Sequence, residues 1–509
     1  MPSRGRYSRG NLIRTSDLPR KAGKSVKLPR KLDDPVKGAE WQQQLIDPSV
    51  PKILDLFCGA GGMSEGFVQQ GFIVAAAYDH DSEACKTFEA NIAAHVVSID
   101  IKDIAEPQDL LDSLLCSQID VIVGGPPCQG FSVYGRGRLG SLEEDHQRDL
   151  LARNNLYQEF FRFVEKFLPS FFVMENVPMM LKFQNKAYMH AIQLECLRLG
   201  YTPIVQIIDA AEYGVPQTRR RLFIIGNRIG RPFRWPHPTH RKNPVTLQDA
   251  IGDLPEVWPP SEEECLPYVP MHPSSIYQQY MRSRVLSEDR ASIYDHVVRP
   301  VRDDDKYVFK HMKPGDRYID IDPRYQRYNT ETFHDKYYML KPDKPSTTIT
   351  AHIAKDGYRY IHWDGRQHRT LSIREAARIQ SFGDHFRFSG SRTSRFHQIG
   401  NAVPPLLASI IAEQIYLAIK CNNSNVSEGQ TVQLALPECE QWSRPVISPE
   451  TIISSEQKKP FFAASSQINQ PRQVDLWSGP LGENKQLHAA SPFLPAKPVE
   501  QEECSEQQL

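Results

Sequence analysis

Five short runs rich in branched and aromatic residues, KILDLF (52–57), FIVAAAY (72–78), AHVVSI (94–99), DVIVGG (120–125) and SFFVME (170–175), recur along the first half of the chain. Strands spaced this way must mostly run parallel, because each return to the sheet uses the intervening segment as a crossover. The segments 62–70, 83–93, 107–117, 151–167 and 186–199 are long enough to be the crossover helices. Two later runs, PIVQIID and RLFIIG, are joined by the shorter AAEYGVPQTRR and predict an antiparallel edge on the same sheet. In such a sheet, ligands collect at the carboxyl ends of the strands.

The rhythm stops at about 228. Up to 345 there are fifteen prolines and no sustained period of 2 or 3.6, which predicts a separate loop-rich unit. Regular pattern returns at LSIREAARIQSF (371–382) and continues into a helix over 404–419, so the chain goes back to its first domain. The expected organisation is a basic, structureless arm over 1–48, a first part of an α/β domain over 49–227, the insertion over 228–345, a return over 346–420 and a structureless tail over 421–509. The arm rests on eleven Lys/Arg against four Asp/Glu in the first forty residues, and the tail on its Gln, Ser, Glu and Pro content.

Charge and cysteine content narrow the function class. The 61 basic and 61 acidic residues cancel, so any nucleic-acid site must be local. The nine cysteines include no Cys-x-x-Cys pair and no zinc-ligand spacing, which speaks against a disulfide framework or zinc module and for a reducing compartment. The basic start lacks an apolar stretch, and the apolar segment 404–419 is interrupted by Glu413 and Gln414. Neither a secretory signal nor a membrane span is expected.

The chemistry-bearing residues fall at strand ends. The first strand enters LDLFCGAGGMSEGF (54–67), where a glycine turn with Gly59 and Gly61 opens a helix whose free N–H groups suit an anionic or polar ligand. Ser64 replaces the third glycine of G-x-G-x-x-G, which weakens a dinucleotide reading. Asp79 ends the second strand, where a carboxylate can accept both ribose hydroxyls, and Asp100 ends the third, within reach of an adenine edge. Taken singly, each acid could equally be a solvated strand end or a helix cap. Together they favour an adenosine site.

The fourth strand ends in GGPPCQGFS (124–132), which presents Cys128 on a stiff loop, whereas the other eight cysteines, Cys58 included, read as inert. The fifth ends in MENVP (174–178), so adjacent parallel strands bring Glu175 beside Cys128 as an acid or base next to a nucleophile. In QTRRRLF (217–223), alternation turns Arg219 and Arg221 to one face, unless the run is simply a solvated charge patch. HQIGNAVPPLLA (397–408) places Gly400 and Asn401 before a helix with Pro404 and Pro405 in its first turn.

The ordered set DLFCGAGG, GGPPCQGFS, ENV, QTRRR, RTLSIREAARIQSF and QIGNAVP resembles the motif series of the DNA (cytosine-5) methyltransferases over about 53–408. The resemblance implies an α/β, Rossmann-like S-adenosylmethionine-dependent methyltransferase fold with a mixed sheet and an inserted loop-rich target-recognition domain. It implies methyl transfer from S-adenosyl-L-methionine to C5 of a flipped-out cytosine in a specific DNA sequence, through a covalent adduct between Cys128 and C6. By the same resemblance, Cys128 is the nucleophile, Glu175 binds and protonates the ring, Arg221 holds the base carbonyl and Arg219 supports that pocket. Phe57 packs on the adenine, Gly59 and Gly61 form the cofactor turn, and Asp79 holds the ribose. Asp100 and Ile101 take the adenine edge, and Asn401 and Val403 the methionine end.

Two departures from the family pattern stand out. Asp79 occupies a position where the family often has the longer Glu, and 133–152 is long, which reads as an extended lid with Arg136, Arg138 and Arg153 as phosphate contacts. The implied partners are double-stranded DNA and, as an open alternative, a cognate restriction endonuclease, with a cytoplasmic monomer expected and no membrane. Three other readings compete: an RNA cytosine methyltransferase, a DNA-binding protein without catalysis, and a Rossmann oxidoreductase. The stretch 322–338, rich in Tyr and Arg, is either part of the DNA reader or the core of its own small unit.

Overall fold

The computed structural model describes residues 25–107, 118–127, 156–231, 233–268, 273–330 and 336–420, with backbone only at 183–187. A mixed sheet is built from β1 (Lys52–Leu56), β2 (Ile73–Asp79), β3 (His95–Ser98), β4 (Val121–Gly124), β5 (Phe171–Asn176), β6 (Thr202–Asp209) and β7 (Arg220–Asn227). Its order is β3-β2-β1-β4-β5-β7-β6. The first five strands are parallel, and β7 runs antiparallel to both β5 and β6, which is the edge the short 210–219 connection predicts. The order reverses at β1, between β2 and β4, and a crevice opens at such a point.

Alternation along the strands divides the core into two layers. Ile53, Val121, Val123, Phe171 and Val173 face one side, and Leu54, Leu56, Ile122, Phe172 and Met174 the other. Helices α2 (Gly62–Gln69), α3 (Ser82–Asn91), α4 (Leu156–Phe167) and α5 (Ala187–Arg198) match four of the five expected crossovers, and most of the fifth, 107–117, lies outside the described residues. Gly66 has no room for a side chain: a Cβ there would stand 2.5 Å from Pro405 O and Ser409 N, so glycine lets α2 press against the C-terminal helix.

The arm does not stay structureless. Helix α1 (Pro35–Ile46) is capped by Asp34, whose side chain accepts from Val36 N and Lys37 N, and it buries Trp41 and Leu45. The Trp41 indole donates to Val74 O at 2.9 Å, and Arg30 pairs with Glu89 at 3.2 Å. The expectation for 1–48 is thus corrected over its second half, where two apolar anchors were masked by the surrounding polar residues. Residues 1–24 and 421–509 lie outside the described residues.

The insertion is also divided. Helices α6 (Leu247–Ile251) and α7 (Ile276–Arg282) send Leu247, Ala250, Ile251, Tyr277 and Met281 into the core of the main sheet. A small core of its own begins only near Val301: Val308 and Phe309 of α8 (Asp303–His311) pack with Met312, Tyr318, Ile321, Tyr337, Met339 and Ile361. Of the aromatic stretch 322–338, Tyr337 lies inside this core, with Tyr325 and Tyr328 packed against it.

The chain then returns through α9 (Ile373–Ile379), α10 (Arg392–Asn401) and α11 (Pro405–Lys420). By length and composition 392–420 could cross a membrane, but two thirds of its apolar stretch is buried in the protein and the helix breaks at 402–404. It is a core element.

Candidate active site

The strand register explains why distant motifs meet. Leu56 pairs with Tyr78 on one side and with Gly124 on the other, and Gly124 pairs with Met174. The residues that follow these positions, Phe57, Asp79, Gly125 and Glu175, therefore emerge along one edge of the sheet.

At the β1–β2–β3 end, Phe57, Tyr78, Asp79, His80, Ile99, Asp100, Ile101, Lys102, Pro127 and Leu156 line one pocket. All four of the expected adenosine contacts, Phe57, Asp79, Asp100 and Ile101, are among them. Phe57 adopts φ 61°, a left-handed conformation rare for a side chain of its size, in the turn that carries its ring to the pocket. Gly61, at φ 92°, caps α2. Gly59 has open space where a Cβ would be, and its N–H donates to Asp79 Oδ2 at 2.8 Å.

The Asp79 carboxylate is already partly engaged, because Oδ1 accepts from Asp81 N at 2.8 Å and lies 3.2 Å from His80 Nδ1. The hydrogen bond and charge of Asp79 raise the His80 imidazole above its ordinary value. Aromatic and aliphatic walls for a purine, with one carboxylate at the strand end for vicinal hydroxyls, fit the S-adenosylmethionine that the sequence implies.

Asn401 ends α10 and Val403 lies in the break before α11. A Cβ on Gly62 would stand 2.3 Å from Val403 O, so this loop lies directly on the start of α2, beyond the glycine turn from the adenosine pocket. Asn401 is exposed there.

The other end of the edge holds the acid and the arginines. Arg221 Nε meets Glu175 Oε1 at 2.9 Å, with both side chains about 15% exposed. A Cβ on Gly125 would lie 3.2 Å from Glu175 Oε2, and Asn176 Nδ2 donates to Pro126 O at 3.2 Å. Asn176 thus ties the 125–127 segment with Glu175 close against it, and Pro127 lines the pocket. Cys128, the next residue, lies outside the described residues, as do the lid 133–152 and Arg136, Arg138 and Arg153. Arg219 is buried, forms no ion pair with Glu175, and donates to the carbonyls of Ile349, Gly400 and Ala402.

Cys58 is no competitor for the nucleophile: it is buried, and desolvation pushes its thiol well above its usual range. Several residues that shape the site carried no role in the sequence reading, among them His80, Asn176, Gln217 and Gln380. Asn176, Gln217 and Gln380 sit inside quoted motifs, so membership of those motifs was the available signal.

The C-5 cytosine-specific DNA methylase family model matches residues 51–417, well over half of the chain. The chain is 33% identical to the type II methyltransferase M.AgeI of Thalassovita gelatinovora over 444 residues, covering 72% of this chain and all of that protein. It is 35% identical to the type II methyltransferase M.DdeI of Desulfomicrobium norvegicum over 412 residues, 75% of this chain and 93% of the relative. A crystal structure of a candidate prophage-encoded DNA modification methyltransferase from E. coli shares the fold, with TM-score 0.58 and 24% identity over 72% of this chain and 99% of its own. The chain belongs to the C-5 cytosine-specific DNA methylases, a family that implies use of S-adenosylmethionine, and it is a DNA (cytosine-5) methyltransferase.

Proposed function

We propose that the enzyme methylates C5 of a cytosine flipped out of a specific duplex DNA site, with Cys128 as nucleophile and Glu175 as the acid that holds the ring. The observation that carries this reading is the Glu175–Arg221 pair set against the loop at 125–127, one residue before Cys128. Cytosine C5 is too weak a nucleophile to take a methyl group directly. Addition of the Cys128 thiolate to C6 breaks the C5–C6 double bond and leaves its electron pair at C5. S-adenosylmethionine, held by Phe57, Asp79, Asp100 and Ile101, would supply the electrophilic methyl of its sulfonium, whose bond to sulfur would break as C5 takes the methyl, leaving the neutral thioether. Glu175 shares a proton with N3 and stabilises the charge that addition pushes into the ring, while Arg221 holds the base carbonyl. Loss of the C5 proton restores the double bond and expels the thiolate. C6 is inaccessible in a stacked duplex, so the base must leave the helix, as it does for base-modifying methyltransferases generally.

Phe57, Asp79, Asp100 and Ile101 hold the adenosine, and Asn401 and Val403 the methionine end. The small core from Val301 to Met339 supports the reading of a DNA recognition unit, and 133–152 that of the lid. The relatives named as type II methyltransferases support a modification enzyme working beside a cognate restriction endonuclease. Transfer of a tritiated methyl group to duplex DNA, tRNA or no nucleic acid tests the substrate class. Label in duplex DNA alone is expected, and label confined to tRNA would overturn the reading.

A further inference from the structure

The base pocket and the cofactor loop are joined by a buried network that the reaction as written does not use. Entering β7, Gln217 and Arg219 are buried while Arg221 reaches Glu175. Gln217 Oε1 accepts from Ile349 N at 2.9 Å, and its Nε2 donates to Ile379 O at 2.9 Å and to Gln380 Oε1 at 2.5 Å. Gln380 Nε2 in turn donates to Ala402 O. Arg219 completes the ring, with Nη1 on Ile349 O at 2.7 Å and Nη2 on Ala402 O at 3.0 Å and Gly400 O at 3.3 Å. Two side chains therefore grip Ile349, and two grip Ala402.

Arg219 is an unusual choice for a structural tie. It is 2% exposed, and among the described residues no carboxylate forms an ion pair with it. Its Nε has no hydrogen-bond partner. Burial pushes the guanidinium well below its ordinary value and the nearby charge of Arg221 adds to the effect, with Glu175 and Tyr360 offsetting it only in part. A buried cation without an ion-pair partner destabilises a fold, and an aliphatic side chain would fill the space without that cost. What only the rigid guanidinium fork provides is a fixed geometry for three carbonyls at once. Two of those carbonyls bracket Asn401, and Val403 follows immediately, pressed on the start of α2.

We propose that Gln217, Arg219 and Gln380 are positioning residues that lock the 400–403 loop, and with it the methionine end of the cofactor, in register with the Glu175–Arg221 pocket. A loop free to shift would still bind DNA but would hold the methyl donor less tightly and away from the base. The proposal rests on the reading of Asn401 and Val403 as cofactor residues, so Asn401→Ala is its control.

The test uses the full chain. Gln380→Met keeps the side-chain volume but removes the amide, and it lies on α9's end, away from the base pocket. Its dissociation constant for S-adenosylmethionine without DNA, and its KM for the same compound on unmethylated bacterial genomic DNA, should rise about tenfold, or about 1.4 kcal/mol. kcat should fall by less than KM rises. Arg219→Lys keeps the charge without the fork, should show at least the same weakening, and carries the test if Gln380→Met does not fold. Affinity within twofold of wild type, beside a weakened Asn401→Ala, overturns the proposal. A lowered melting temperature with unchanged KM in the folded enzyme overturns it too, because that is the signature of a purely structural tie. An unchanged Asn401→Ala would instead overturn the assignment of the loop to the cofactor.

Discussion

The charges around α9 and the pair Arg219 and Arg221 at the entrance of β7 are all largely shielded from water, yet they are arranged in opposite ways. Every residue of α9 is buried, including Arg374, Glu375 and Arg378. Each charge there meets its opposite. Arg369 grips both oxygens of Glu375 at 2.7 and 2.8 Å, Arg374 reaches Asp295 at 3.1 Å, and Arg378 lies between Asp253 and Asp384. Burial alone would raise the Glu375 carboxyl, but the charges and hydrogen bonds of Arg369 and its neighbours outweigh it and hold the group below its usual range. At β7, by contrast, Arg219 has only carbonyls and Arg221 shares a partly open carboxylate. Matched charge fixes how the insertion sits on the sheet, whereas at β7 one guanidinium is spent on backbone carbonyls and the other on an acid still partly open to solvent.

Breaking the matched set should have the largest effect. Arg378→Met leaves Asp384 buried without its ion-pair partner and Asp253 with Arg282 alone, and loss of one partner of a buried pair typically costs about 3–5 kcal/mol. Chemical denaturation should show a loss of that size, with activity falling only as the folded fraction falls. A variant as stable as wild type would mean that the α9 layer is not what anchors the insertion. Glu175→Gln probes the other side of the comparison. It should lower kcat by about a hundredfold or more while affinity for S-adenosylmethionine stays within twofold, since Glu175 is not among the residues that line the Phe57–Asp79 pocket. A kcat within about threefold of wild type would remove Glu175 from the chemistry.

A smaller effect tests a lone buried acid on the cofactor side. Burial pushes the Asp55 carboxyl up to about 7, against a hydrogen bond from Ser64 at 2.5 Å that favours the charged form. The unfolded chain titrates near the usual 4, so between about pH 4 and 7 the folded state binds more protons and stability falls as pH rises. Asp55→Asn removes that penalty. It should exceed wild type in stability by on the order of 1–3 kcal/mol at pH 8, with the gap closing toward pH 4. A gap independent of pH would show that Asp55 is charged throughout.

The parallel strands, the antiparallel edge and the placing of Asp79 and Asp100 at strand ends were legible in the sequence because each rests on local pattern plus one topological rule, whereas Phe57 and Ile101 came only from the family resemblance. The meeting of Glu175 with Arg221 was only partly legible, since alternation put Arg219 and Arg221 on one face without singling out either as the partner of the acid. Helix α1 was not, since its only apolar anchors, Trp41 and Leu45, sit among polar residues and hold through the partner surface of β2. The division of the insertion was hidden as well. Its proline-rich loops obscure short helices whose burial depends on contacts with α9, and those contacts join residues about a hundred positions apart. The role of Arg219 was only half visible: alternation placed it beside Arg221, but the carbonyls it holds come from two segments far along the chain.

The central claim is that Cys128 carries the covalent step, and trapping tests it most directly. A duplex in which cytosine bears fluorine at C5 cannot lose a proton there, so the wild-type enzyme should remain covalently bound to it in the presence of S-adenosylmethionine. Peptide mapping should find the base on Cys128, and Cys128→Ser should neither be trapped nor methylate DNA, because an alkoxide is far harder to form near neutral pH than a thiolate. The base on Cys58 or any other cysteine, or a Cys128→Ser rate within about tenfold of wild type, would contradict the account.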